Sequence, residues 1–118
     1  MRFEHDKVDN IIVVRVREKK LTSQEAPEMK TALLGLIIGE GDQFLLNLKD
    51  VEYMDSTGLG AFLFGIRQAR NYNKGLFFCA IQPRIKNLIR IAQLENVIEN
   101  FDTEQQALKE LRKGMEDG

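Results

Sequence analysis

Phe44-Leu45-Leu46-Asn47-Leu48, followed by Tyr53-Met54-Asp55-Ser56-Thr57-Gly58-Leu59-Gly60, is the stretch that decides how this chain folds. The first run, with Gln43 before it, is apolar toward both faces, as expected of a strand inside a sheet covered by helices on either side. The second run starts a helix. Asp, Ser and Thr are cap residues, because a side-chain oxygen can accept a backbone N–H of the first turn. Gly58 and Gly60 let backbone or a partner approach closely, at some cost in helix propensity. From about Thr57 the apolar residues recur at helical spacing, with Leu59, Phe62, Leu63 and Ile66 as the buried stripe. Asn73-Lys74-Gly75 ends that helix. The stretch therefore reads strand, loop, helix, with Ser56 displayed at the helix N-terminus.

Downstream, Leu76–Ile81 is a second fully apolar strand. Pro83 opens a helix at a position proline tolerates, with Ile85, Leu88, Ile89 and Ala92 inward. Val97-Ile98-Glu99-Asn100-Phe101 reads as a short last strand. Thr103-Glu104-Gln105-Gln106 has a capping-box pattern ahead of a helix docked by Ala107, Leu108 and Leu111. Upstream, residues 2–8 form a weak strand, Asp9-Asn10 a turn, and Ile11-Ile12-Val13-Val14-Arg15-Val16 a strong β-branched strand. Their short separation predicts an antiparallel hairpin. Thr22 or Ser23 caps the next helix, and Pro27 delays its regular part to about Ala26. Ala26, Met29, Leu33, Leu36 and Ile37 share its inner face, and Gly39-Glu40-Gly41-Asp42 stops it.

The order is β-β-α-β-α-β-α-β-α. Strand–helix–strand units of this length imply parallel pairs with right-handed crossovers. The expectation is a single α/β domain over residues 1–113, with a mixed four- to five-stranded sheet and about four helices. Residues 114–118 are expected to fray.

Composition limits the function. The 118 residues carry 43% hydrophobic and 30% charged side chains, enough apolar material for one real core. A formal net charge of −1 argues against a general nucleic-acid binder. The single cysteine, Cys79, lies in an apolar run and reads as a buried residue, so neither an internal disulfide nor a cysteine-rich metal site is expected. No apolar run approaches the roughly 20 residues of a membrane span, and the N-terminus lacks a signal-peptide pattern. A cytoplasmic protein without cofactors is expected.

The loop at 53–60 admits few chemistries. A nucleophile elbow needs glycine two residues before the serine, and here the residue is Met54. The only histidine, His5, lies in the weak first strand, so a triad has no base. A phosphate-cradling loop would need Gly-Lys-Ser or Gly-Lys-Thr, which is absent. A phosphorylation switch remains. Phosphoserine carries about −1.5 to −2 charges. At a helix N-terminus that charge meets free N–H groups and the positive dipole end. A partner packed on the loop would meet a dianion beside Asp55.

Tyr53-Met54-Asp55-Ser56-Thr57-Gly58-Leu59-Gly60 resembles the signature loop of STAS domains, in particular the bacterial anti-sigma factor antagonists. The similarity extends to the strand before the loop, Gly75–Ile81, the Pro83 helix and Phe101-Asp102-Thr103. It implies that Ser56 is phosphorylated by an anti-sigma factor that is also an ATP-dependent serine kinase. The unphosphorylated form binds that factor and frees a sigma factor, regulating transcription, and a serine phosphatase resets the switch. By resemblance the chain is a substrate and partner, not an enzyme. It implies a partner face of Met54, Asp55, Ser56, Thr57, Gly58 and Leu59, with Thr22 and Ser23 beside them. On a helical wheel Phe64 points outward with Thr57, Ala61 and Gln68, which adds Ala61 and Phe64 to that face. Arg67, Arg70 and Lys74 read as a solvated face.

The resemblance departs at one place. The family usually has Gly-x-Leu-Asp after the second strand, and this chain has Lys19-Lys20-Leu21-Thr22. The alternative is therefore a phosphorylation-independent STAS adaptor in another signalling or lipid-transport complex. No direct contact with nucleic acid or membrane is expected, and the chain reads as a monomer or weak homodimer, with Leu34, Ile38 and Phe64 as spare apolar surface.

Overall fold

The computed structural model describes residues 1–117. In chain order the elements are β1 (Phe3–Val8), β2 (Ile11–Val16), β3 (Lys20–Leu21), α1 (Ala26–Ile37), β4 (Gln43–Asn47), β5 (Tyr53–Met54), α2 (Ser56–Asn71), β6 (Gly75–Cys79), α3 (Pro83–Ile91), β7 (Asn100–Phe101) and α4 (Glu104–Asp117). The hairpin forms as expected, with β1 antiparallel to β2 and Val8 opposite Ile11. Asp9 turns the chain with a positive φ of 56°, a conformation aspartate tolerates better than most residues. Parallel pairing then builds the five-stranded sheet β1-β2-β4-β6-β7.

The sheet is apolar toward both sides because helices cover both. Ile12, Val14, Phe44, Leu46, Leu76 and Phe78 meet the buried faces of α1, α2 and α3. The alternate residues Ile11, Val13, Leu45 and Cys79 meet Ala107 and Leu111 of α4. Cys79 is fully buried, and desolvation pushes its thiol pKa up to about 12, so it is a packing residue with little thiolate character.

Several boundaries move. A second sheet, the parallel pair β3–β5, joins Lys20 to Tyr53 and Leu21 to Met54; nothing in the sequence pattern announced it. The last strand is only Asn100–Phe101, while Val97 lies in a turn and is 43% exposed. Ala92 follows α3 as an exposed cap residue, not an inward one. α4 is assigned as helix to Asp117, and position 118 lies outside the described residues.

The buried face of α2 is also rotated from the expected stripe. Gly58, Leu59, Ala61, Phe62, Gly65 and Ala69 are buried, whereas Leu63 and Ile66 are half-buried. The cause is α1, which lies alongside. A Cβ at Gly65 would come within 2.9 Å of Leu33 Cδ1 on α1, so the small residues of α2 are what allow the two helices to close on each other. Among the described residues no helix is long and apolar enough to cross a membrane.

Candidate functional site

Asp55, not Ser56, is the N-cap of α2. Its backbone is extended, and its Oδ1 accepts the backbone N–H of Thr57 at 3.0 Å and of Gly58 at 3.1 Å. The Thr57 hydroxyl donates to the same oxygen at 2.5 Å. The Asp55 carbonyl accepts the N–H of Leu59 at 3.1 Å. The Thr57 hydroxyl, then the backbone N–H of Gly58, hold the Asp55 carboxyl below the usual carboxylate range, with the Thr57 and Ser23 amides contributing further. Asp55 therefore stays ionised at neutral pH.

Ser56 is the first residue of α2 and is exposed. Among the described residues its hydroxyl has no hydrogen-bond partner, whereas the neighbouring Thr57 hydroxyl is occupied. The structure corrects one expectation here. A phosphate on Ser56 would find fewer free first-turn amides than expected, because those of Thr57, Gly58 and Leu59 are already bonded to Asp55. Its charge would add to that of Asp55.

The loop is fastened from below. β3 and β5 are stitched by Glu52 N–H and Tyr53 N–H donating to the Lys19 carbonyl at 2.7 and 3.1 Å. Leu21 and Met54 are buried under this ladder. Gly58 is required there, because a Cβ would stand 2.3 Å from the Leu21 carbonyl oxygen and 2.8 Å from Met54 Cγ. The same pairing brings Thr22 and Ser23 beside Asp55. Thr22 makes a reciprocal turn with Glu25. Its N–H and its hydroxyl both donate to Glu25 Oε1 at 2.8 Å, and its carbonyl accepts the N–H of Ala26 at 2.9 Å. These bonds from Thr22 hold the Glu25 carboxyl below its ordinary range. The N-cap of α1 is Glu25, without a side-chain cap bond, so neither Thr22 nor Ser23 caps the helix as expected; Thr22 fixes the turn that leads into it.

The expected partner face divides by exposure. Ser23, Ser56 and Thr57 are exposed, and Thr22, Asp55 and Phe64 are half-buried. Met54, Gly58 and Leu59 are buried and shape the loop from inside. Ala61 is 0% exposed and does not belong to any surface. Phe64 is turned toward α1, with Lys30 Nζ 5.8 Å from its ring centroid. Both had been read as outward on the wheel, and α1 covers that side. Arg67 and Arg70 are exposed as expected. Lys74 is not a solvated cation; it donates to the carbonyls of Ile37 at 2.7 Å and Gly39 at 3.0 Å, closing the end of α1. Sequence reasoning missed Tyr53 and Lys20, which face outward on the β3–β5 ladder, Tyr53 at 47% exposure. No signal in the sequence could have found them, because β3 and β5 are two residues each. His5 lies exposed on the edge strand β1, its ring near Phe3.

The chain is a single α/β domain that carries a serine-bearing loop at the start of a helix, at the C-terminal side of a mixed sheet. The chain belongs to the STAS domain family, whose model matches residues 2–107, and its curated relatives are anti-sigma factor antagonists. It is 32% identical over 80 residues to the anti-sigma-B factor antagonist of Listeria monocytogenes, covering 68% of this chain and 70% of the relative. Its fold is similar to that of the anti-sigma factor antagonist SpoIIAA in its unphosphorylated form, with a TM-score of 0.79, 18% identity, and coverage of 95% and 97% of the two chains. The Bacillus cell fate determinant SpoIIAA in its phosphorylated form aligns with a TM-score of 0.71 at 18% identity, covering 93% and 99%.

Proposed function

We propose that this chain is an anti-sigma factor antagonist switched by phosphorylation of Ser56. Unphosphorylated, it binds an anti-sigma factor that is also a serine kinase, and so frees a sigma factor. Transfer of the ATP γ-phosphoryl group to Ser56 Oγ releases the partner, and a serine phosphatase hydrolyses the ester to restore binding. The chain is the substrate and partner in this cycle, not a catalyst.

The observation that carries this reading is the contrast between two adjacent hydroxyls. Ser56 Oγ is exposed and uncommitted, while Thr57 Oγ1 is tied to Asp55. Of these two adjacent hydroxyls, a kinase finds only that of Ser56 unbonded. Once modified, Ser56 brings about −1.5 to −2 charges next to an aspartate that stays ionised. A surface that carried one negative charge then carries about three. Like charges brought together in an interface cost several kcal/mol, enough to release a partner without disturbing a fold whose core lies beneath the loop.

The test is direct. The protein is incubated with its kinase-type anti-sigma factor and ATP, then measured by intact mass and peptide mapping. One phosphate on Ser56 is expected, retained in Thr57→Val and absent from Ser56→Ala. Phosphate on Thr57, or none at all with a kinase that binds the protein, overturns the reading.

A further inference from the structure

At the opposite end of the sheet from β1, a cleft of about 570 Å3 opens between α3 and the turn that leads into β7. Its floor is apolar, formed by Ile81, Ile89 and Ile98. Its walls carry opposite charges. α3 contributes Lys86 and Arg90 to one, and the turn contributes Glu95 and Glu99 to the other. The sequence sorts the charges in the same way. Residues 83–91 contain Arg84, Lys86 and Arg90 and no acid, while residues 92–99 contain Glu95 and Glu99 and no base.

These opposite walls do not satisfy each other. Among the described residues, Arg84, Arg90, Glu95 and Glu99 make no salt bridge, and Lys86 reaches only Asp102, at 4.0 Å. Each charged lobe also carries an exposed aliphatic side chain. Ile91, one turn beyond Asn87 on the solvent face of α3, is 71% exposed, and Val97 in the acidic turn is 43% exposed. A basic lobe with an apolar knob thus stands beside an acidic lobe with another, across an apolar groove.

We propose that this face binds a second copy of the chain in a two-fold symmetric dimer. A two-fold axis sets each patch against its own copy. Lys86 and Arg90 of one protomer then face Glu95 and Glu99 of the other, twice over, and Ile91 and Val97 are covered. With the axis running along the groove, each lobe meets the lobe of opposite sign on the other copy. The patch includes no residue of the Ser56 loop, so the dimer is tested separately from the switch.

Sedimentation velocity over a concentration series tests it. The wild-type chain is expected to form dimers that weaken as salt is raised. Lys86→Glu/Arg90→Glu makes both lobes acidic, and Glu95→Lys/Glu99→Lys makes both basic. Each variant alone is expected to raise the dimer dissociation constant at least about tenfold. Mixed in equal amounts they should form a heterodimer, which also shows that both are folded. Ile91→Asp should weaken the dimer with the thermal melt unchanged. A wild-type chain that stays monomeric throughout the series overturns the proposal, as does a mixture of the two variants that does not associate.

Discussion

Gly58 and Gly60 are two residues apart near the start of α2, and the same added methyl group should affect them oppositely. At Gly58 a Cβ would meet backbone, the Leu21 carbonyl oxygen at 2.3 Å, whereas at Gly60 nothing lies within 4 Å. Gly58→Ala should therefore destabilise by about 1–3 kcal/mol, in the range of overpacked core sites. Gly60→Ala should be neutral or stabilise by up to about 1 kcal/mol through helix propensity. Urea denaturation checks both, and equal effects would contradict the docking of the loop on β3. Asp55 gives a second prediction at this scale. Its carboxyl is held low in the folded state, so its contribution is present above the unfolded value of about 3.9 and is lost as pH falls through the folded value. The melting-temperature gap between wild type and Asp55→Ala should be constant near neutral pH and shrink below about pH 4. Much of this site was legible from residue chemistry, because Asp-Ser-Thr-Gly before an apolar period is a capping pattern whatever the fold. Which residue caps was not legible, since Asp55, Ser56 and Thr57 all can, and only the backbone path decides.

At the scale of elements, α4 is fixed to the sheet by a cluster that the pattern of apolar residues did not reveal. Arg15 on β2 donates Nε and Nη2 to the two oxygens of Glu104, at 3.0 and 2.8 Å, and Asn47 Nδ2 on β4 donates to Glu104 Oε1 at 3.0 Å. The Arg15 bond, reinforced by Asn47, holds the Glu104 carboxyl below its ordinary range, and Glu104 in turn raises the guanidinium pKa. Glu104→Gln should cost about 1–3 kcal/mol at neutral pH, as for a hydrogen bond to a charged group. Because the folded value lies below the unfolded one, that cost should fade as the pH drops below about 4. Denaturant melts at two pH values check it. The long strands and the helices were readable because apolar period and length agree. β3 and β5 were not, since a two-residue ladder has no period to detect. The inner face of α2 was misjudged for a different reason. Leu63 and Ile66 look more hydrophobic than Ala61 and Gly65, but close helix packing is made by the small residues. Ala61→Leu should therefore destabilise by about 1–3 kcal/mol, where an exposed site would tolerate it.

At the scale of the molecule, the loop and the core are separable. Ser56 sits outside the packed layers, on a helix start where Asp55 already holds the amides of Thr57, Gly58 and Leu59. Modification there should change what the surface repels and leave the fold intact. The fold, the parallel order of its strands and the STAS resemblance all followed from the sequence. The division of the partner face into exposed hydroxyls and buried supports did not, because it depends on how β3 passes beneath α2. The most direct test of the switch is the affinity of the anti-sigma factor for this protein before and after enzymatic phosphorylation, measured by calorimetry alongside a thermal melt. Phosphorylation is predicted to weaken binding by at least about a hundredfold, or roughly 2.8 kcal/mol, with a melting temperature that barely moves. Equal affinities for the two forms, or a loss of binding that tracks unfolding, would contradict it.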